Sequence, residues 1–257
     1  MCNDCEQVNA AAVVLRGVSK EFDANSKPAL KEVSLGIPLG GRYGFLGPNG
    51  SGKSTLIRII TGVLSATYGE VETLGHIPDI NDNTFKKKLG VMMGGKNSLN
   101  WDLPFRNSYE LHKVLYEIDD DKYAKAYNFI NGHLKLDEIT ETPVFRLSLG
   151  QRMRAELGLA FLHMPELLIL DEPSIGLDHQ TAKMMREMIV KLNEDFHTTV
   201  IVTSHNMADV EEICNHVVLL KDGGKIYDGK VEDLRKSMNV QGGDLNDIIG
   251  QIYLLEN

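Results

Sequence analysis

No stretch of this 257-residue chain approaches the roughly 18 consecutive apolar residues that a membrane span requires. The first 20 residues carry Asp4 and Glu6 early and lack a basic start followed by an apolar stretch, so they do not read as a secretory signal. Cysteine is scarce, with three in all. Cys2 and Cys5 form a C-x-x-C, but a structural zinc site takes four ligands and no second pair exists. The pair is therefore read as part of a flexible N-terminal tail, residues 1–11. Cys214 stands alone in a predicted helix and reads as a core residue. Such sparse usage fits a reducing cytoplasm. A basic surplus is also missing. Lysine and arginine number 27 against 36 acidic residues, a net charge of −9, which argues against a nucleic-acid partner held through its phosphates. The hydrophobic fraction, 42%, and the length suffice for one large α/β domain with a buried core.

What is present is organised around Gly47-Pro48-Asn49-Gly50-Ser51-Gly52-Lys53-Ser54-Thr55. The stretch fits G-x-x-x-x-G-K-[ST], the loop that cradles nucleotide phosphates. Tyr43–Leu46 before it read as a short buried strand, and Thr55–Ile60 after it as the opening of a helix. Glycines let backbone amides turn inward around phosphate oxygens, and the helix start adds unpaired N–H groups and a positive dipole end. Lys53 is placed to reach the β- and γ-phosphates of a nucleotide, and Ser54 to put a hydroxyl on Mg²⁺.

In chain order, strands are expected at Ala12–Val18, Ala29–Ile37, Gly69–Leu74 and Gly90–Met93. The lysines at 86–88 read as a solvated face. From about 96 to 164 the spacing becomes helical, with Tyr109, Leu111 and Leu115 and then Tyr123, Tyr127, Ile130 and Leu134, which predicts an inserted helical lobe. Asp119–Asp121 read as a loop or a helix cap. A fully apolar strand follows at Leu167–Leu170 and a second central strand at Thr199–Thr203, separated by an amphipathic helix over Thr181–Leu192. Asp222-Gly223-Gly224 between two apolar runs signals a hairpin. Strands alternating with helices predict an α/β fold with a mostly parallel, doubly wound central sheet, over about 12–236, and a C-terminal tail with a short helix over 237–257. No internal repeat or low-complexity segment is present.

Asp171-Glu172 directly follow an apolar strand, and open α/β sheets bind ligands beyond the carboxyl ends of their strands. Asp171 is placed to hold the Mg²⁺ that Ser54 also touches, and Glu172 to orient and polarise the attacking water. His205 ends the next apolar strand and is placed to donate to the γ-phosphate or the water. Leu147-Ser148-Leu149-Gly150-Gln151 form a polar turn opening a helix over Arg152–Phe161. Its amides and the Ser148 hydroxyl make a second anion site, though periodicity alone does not say whose phosphate it takes.

With Gly47–Thr55, Leu147–Gln151, Leu167–Glu172, Gly176-Leu177-Asp178 and His205 in that order, the chain closely resembles the ATP-binding subunit of an ABC transporter, from about Val14 to Leu234. Leu149 in place of the usual second signature glycine, Trp101-Asp102-Leu103-Pro104 and Thr203–Met207 resemble the branch that works with ABC-2 exporter-type membrane subunits. The resemblance implies a P-loop NTPase with an N-terminal antiparallel β part and an inserted helical subdomain. It implies two copies, most simply a homodimer, sandwiching two ATP molecules head to tail. Each Ser148–Gln151 signature would then close on the partner's ATP, and Asp178 in the D-loop would cross the interface. Phe22 stands where the family stacks an aromatic on adenine; its alternative is a core phenylalanine. The resemblance further implies a transmembrane permease partner, contacted by the helical lobe, and a cytoplasmic protein peripheral on the inner or plasma membrane. One position departs from the family. The glutamine expected at the end of Gly90–Met93, which touches Mg²⁺ and the water, is replaced by Gly94-Gly95, with Asn97 the nearest amide.

Two other readings fit the sequence less well. Soluble ABC-type ATPases that act on ribosomes usually carry two cassettes, and those that act on DNA carry a long coiled coil between P-loop and signature. This chain has one cassette and about 90 residues between the two motifs. P-loop kinases and GTPases lack a signature like Leu147–Gln151.

Overall fold

A computed structural model describes residues 11–23, 27–94, 98–204, 207–237 and 249. The chain divides into two compact units, Met1–Asp79 with Val202–Asn257, and Ile80–Ile201.

The first unit holds a three-stranded antiparallel sheet of β1 (Ala11–Lys20), β2 (Leu30–Pro38) and β4 (Tyr68–Thr73), ordered β2-β1-β4. β2 alternates between buried Val33, Leu35 and Ile37 and exposed neighbours, the pattern of a sheet with one wet face. The register of β1 slips between Leu15 and Val18, where Gly17 takes φ +58°. Gly69 crosses that bulge; a Cβ there would stand 2.5 Å from the Gly17 carbonyl oxygen. The same unit contains β3 (Arg42–Leu46), running parallel to β8 (His216–Lys221), which pairs antiparallel with β9 (Gly224–Lys230). Asp222 (φ +51°) and Gly223 (φ +83°) make the left-handed turn a tight hairpin needs. α1 (Lys53–Ile60) follows β3 and buries Leu56, Ile57, Ile59 and Ile60. Cys214 lies just past the end of α7 (Met207–Ile213) rather than inside a helix, and it is buried as expected. α8 (Val231–Ser237) closes the described part of this unit; residues 1–10, and 238–257 apart from Ile249, lie outside the described residues.

The second unit holds β5 (Leu89–Met92), β6 (Leu167–Asp171) and most of β7 (Thr199–Thr203), side by side in that order, with β5 parallel to β6. Leu167–Leu170 and all of β7 are buried, so these strands are covered on both faces. Gly90 of β5 is required by packing: a Cβ there would lie 2.3 Å from the Ala160 carbonyl oxygen. The expected helical lobe is present in this unit as α3 (Phe105–Leu115), α4 (Asp120–Leu134) and α5 (Leu149–Phe161), after the short α2 (Asn83–Lys86). Asp119 caps α4 by accepting the Lys122 amide. Phe105, Tyr109, Ile130, Leu134, Leu157 and Phe161 form the lobe's core, each fully buried. Leu111 and Leu115 do not join it. They are 56% and 65% exposed, because the inward stripe of α3 runs through Phe105, Ser108 and Tyr109 and leaves them on the far face. The lysine run is solvated but partnered: Lys87 pairs with Glu117 and Lys88 with Glu166. α6 (His179–Phe196) is longer at both ends than its apolar periodicity predicts, being capped by Asp178 before and by left-handed His197 after.

Candidate functional site

The phosphate loop is built by strand end, turn and helix start in the first unit. β3 is buried through Leu46, and the Ser51 amide then bonds to the Pro48 carbonyl at 3.1 Å. Three of the loop's glycines have positive φ: Gly47 +156°, Gly50 +81° and Gly52 +106°. Two are also fixed by space. A Cβ on Gly47 would stand 2.4 Å from the Leu220 carbonyl oxygen, and one on Gly52 would stand 2.7 Å from that of Ala29. α1 begins at Lys53, two residues earlier than its apolar pattern suggests, and Gly52 gives it no side-chain cap. Its first amides are thus left for a ligand, as an anion site requires. The Lys53 ammonium folds into the loop, donating to the carbonyls of Gly47 at 2.7 Å and Pro48 at 3.1 Å, and the residue is only 7% exposed. The Ser51 hydroxyl is buried with no hydrogen-bond partner among the described residues. Ser54 is exposed at the first turn of the helix, and Pro48, Asn49 and Gly50 are exposed at the rim. A buried cation, an orphaned hydroxyl and an uncapped helix start fit a polyphosphate.

A support that the motif does not advertise is the β8–β9 turn. The Gly223 amide donates to the Ser51 carbonyl at 3.1 Å, and the Lys31 amide to the Gly223 carbonyl at 2.8 Å. The Asp222-Gly223-Gly224 signal announced a hairpin, and folding puts that hairpin behind the phosphate loop. Phe22 is 59% exposed, with the Lys20 ammonium 5.5 Å from its ring centroid. That exposure excludes the core alternative for Phe22.

In the second unit, Asp171 ends β6 and Glu172 leaves the strand in a left-handed conformation, φ +52°. A non-glycine residue rarely adopts it, and the turn redirects the Glu172 side chain away from the strand's alternation. Gly94 packs against this pair: a Cβ there would lie 3.0 Å from the Asp171 carbonyl oxygen and 3.7 Å from Glu172 Cβ. The chain then turns at Gly176, φ +72°, and Asp178 caps α6 by accepting the Thr181 amide (2.9 Å) and hydroxyl (2.7 Å). Those bonds hold its carboxyl below the usual carboxylate range.

The Leu147–Gln151 turn belongs to its helix more closely than expected. α5 starts at Leu149, not Arg152, and Ser148 is its N-cap. The Ser148 hydroxyl accepts the Gln151 amide at 3.2 Å, while Gln151 Oε1 accepts the Ser148 amide at 2.9 Å. This reciprocal capping box uses two of the groups assigned to anion binding. The N–H groups of Leu149 and Gly150, in the first turn, and the Ser148 hydroxyl proton are not drawn into it. Leu149 is 42% exposed, and Gly150 is held against Thr181. His205, Gly95 and Asn97 lie outside the described residues.

Comparison with known proteins places these features. The family model described as ABC transporter matches residues 30–175, more than half of the chain. The chain belongs to the ABC transporter family. It is an ATP-binding, ATP-hydrolysing cassette of the P-loop NTPase fold. It is 31% identical over 232 residues to the methionine import ATP-binding protein MetN 2 of Enterococcus faecalis, covering 88% of this chain and 67% of that protein. It is 28% identical to the Nod factor export ATP-binding protein I of Rhizobium johnstonii, covering 92% and 77%. Among solved structures it is similar to the ATP-binding cassette MJ0796 in a dimeric post-hydrolysis state bound to ADP and Pi, with a TM-score of 0.74 and 27% identity over 85% of this chain and 98% of that one. No helix among the described residues is long and apolar enough to cross a membrane.

Proposed function

We propose that this cassette powers export through a separate transmembrane permease of ABC-2 type, as one half of a homodimer that closes on two ATP molecules. The observation that carries the reading is that the chain has an uncapped phosphate-loop helix and also a second helix start, Ser148–Gln151, at which Ser148 and Leu149 are exposed. One anion site serves the chain's own ATP, and the other is built to meet a phosphate supplied from outside it. In this reading Gly47–Thr55 wrap the phosphates, Phe22 stacks on adenine, and Ser54 and Asp171 supply hard oxygen donors to Mg²⁺. Mg²⁺ supplies charge neutralisation on the phosphates when bound. Glu172 takes the water's proton as general base and His205 donates to the γ-phosphate. Leu149, Gly150 and Ser148 contact the partner's ATP, with Asp178 beside them. Export is supported by the Nod factor export relative, which matches 92% of this chain and 77% of its own length. The permease partner, the cytoplasmic face of the membrane as the working place and the absence of a nucleic-acid partner follow from the same reading.

The test uses three variants of the purified protein. Lys53→Ala removes the loop's only cation and is expected to abolish tight ATP binding in a direct titration. Glu172→Gln is expected to bind ATP, to lose hydrolysis by roughly 10²-fold or more, and to accumulate as an ATP-bound dimer on size exclusion. Ser148→Arg is expected to spare ATP binding and block that dimer. A Glu172→Gln protein that turns over normally and stays monomeric in ATP overturns the reading. Coexpression with the membrane protein of the neighbouring reading frame then tests the partner: copurification of a six-span subunit supports it.

A further inference from the structure

The end of β3 away from the phosphate loop opens onto a cleft of about 600 Å³, a size that suits a small organic molecule. Its walls all belong to the first unit. Three connections meet there. The Gly41 amide closes the turn before β3 on the Pro38 carbonyl at 3.2 Å. The Asn215 amide, just before β8, reaches the Arg42 carbonyl at 3.1 Å, and the Val231 amide, just after β9, reaches the Asn215 carbonyl at 3.2 Å. Tyr43 and His216 are paired across the parallel strands and both line the cleft, their rings stacked with centroids 4.4 Å apart. The Tyr43 ring also lies against the turn: a Cβ on Gly41 would stand 2.8 Å from its Cε2, so glycine is what leaves it room.

The ring is fixed, but its polar end is not used inside the chain. Tyr43 is 6% exposed, yet its hydroxyl has no hydrogen-bond partner among the described residues. Burial, and then the Asp228 charge, push its pKa up, so it is a neutral phenol with a proton to donate. Asp228 is engaged elsewhere: one oxygen lies 2.8 Å from His216 Nε2, and the other accepts the Lys225 ammonium at 2.6 Å. A buried donor without an acceptor is costly, and the open side of this one is the cleft. Lys230 and Glu232 line the same cleft, and neither forms an ion pair among the described residues. Glu211 adds a second carboxylate, and Pro38 and Val231 add apolar surface. A phenol proton and an ammonium call for a carboxylate on the ligand. Two carboxylates repel a ligand that is only an anion and call for an ammonium on it as well. We propose that the cleft binds a small zwitterion with an apolar body, of the kind a free α-amino acid presents, with its carboxylate on the Tyr43 hydroxyl and Lys230 and its ammonium on Glu232. From Tyr43 to Gly47 the strand rise separates this site from the phosphate loop by about 13 Å. The site depends on neither the dimer nor the permease proposed above.

The test is calorimetric titration of the full chain with three probes. L-Phenylalanine carries both charges, 2-phenylethylamine lacks the carboxylate, and 3-phenylpropanoate lacks the ammonium. L-Phenylalanine is expected to bind with a Kd below about 1 mM, and each singly charged probe about tenfold more weakly or worse. Tyr43→Phe should weaken L-phenylalanine about tenfold and melt no lower than wild type, since the hydroxyl has no partner inside the chain to lose. Lys230→Met should weaken L-phenylalanine about threefold and leave 2-phenylethylamine unchanged, and Glu232→Gln should weaken L-phenylalanine to a similar degree and leave 3-phenylpropanoate unchanged. Lys53→Ala should bind L-phenylalanine as wild type does, even though it loses ATP, which separates this site from the nucleotide reading. No saturable binding of L-phenylalanine overturns the assignment, as do singly charged probes that bind equally well. A wild-type Kd in Tyr43→Phe overturns it too, and so does a Tyr43→Phe protein that melts lower or fails to fold, because the hydroxyl would then have an internal partner. Unchanged discrimination among the probes in both Lys230→Met and Glu232→Gln, or loss of binding in Lys53→Ala, has the same consequence.

Discussion

Acid should loosen the Ile80–Ile201 unit through a pair of buried imidazoles. His163 Nε2 lies 2.8 Å from the Leu89 carbonyl oxygen, so that nitrogen carries the proton and Nδ1 is the acceptor. His112 Nε2 lies 3.0 Å from that Nδ1 and donates to it. Tyr116 stacks on His112 at 4.0 Å and covers His163 at 4.3 Å, and His163 is 3% exposed. No carboxylate is among the groups that shift either ring, and the Lys122 charge further disfavours a proton on His163. Burial lowers His112 to about 4, and burial with the neighbouring His112 lowers His163 to about 3, from an ordinary 6.5. Both folded values are lowered, so the folded state favours the neutral imidazole. Below pH 6.5 the unfolded chain therefore binds protons that the folded chain refuses. The pair's contribution is full above that pH and is lost progressively down to about pH 4 and 3. Between pH 7.5 and 5 the linkage amounts to about 2 kcal/mol per imidazole and about 4 kcal/mol for the pair. That is a large share of the 5–15 kcal/mol a domain typically has. The assay is urea unfolding across that range, followed by fluorescence of Trp101, the chain's single tryptophan, which lies in the same unit. A His112→Gln, His163→Gln double variant should start less stable at pH 7.5 and lose about 4 kcal/mol less on acidification. Parallel pH dependence in the two proteins refutes the argument.

Three further outcomes are expected. Gly158→Ala places a Cβ 2.2 Å from the Tyr109 hydroxyl, which donates to the Ala155 carbonyl at 2.8 Å, so the variant should lose about 1–3 kcal/mol in the same unfolding assay. The Cys214 thiol, pushed up to about 12 by burial, should resist a thiol reagent in the native protein and react on denaturation, read in a Cys2→Ser, Cys5→Ser background. Gly95→Gln places a glutamine where the family resemblance expects one and should raise basal ATP turnover; unchanged rate and Mg²⁺ dependence would mean that another residue already fills the role.

The phosphate loop was legible in the sequence because its chemistry is local. Glycines at fixed offsets, a lysine and a hydroxyl between an apolar strand and a helix start have few other uses, and their conformations depend on residues a few positions apart. The strands Leu167–Leu170 and Thr199–Thr203 were legible for a similar reason, since the unbroken runs Leu167–Leu170 and Val200–Val202 leave no polar face, as strands covered on both sides require. Other features depended on distant partners. Leu111 and Leu115 have the composition of core residues, but which face of α3 turns inward is set by what packs on it. The Gly223 amide reaches Ser51 across 172 positions of sequence only because β8 lies beside β3. Glu156 reads in the sequence as an ordinary helical acid. Folding buries it beneath the amides of Ser98 and Leu99, because the cost of a buried carboxylate is met by donors that no local pattern announces.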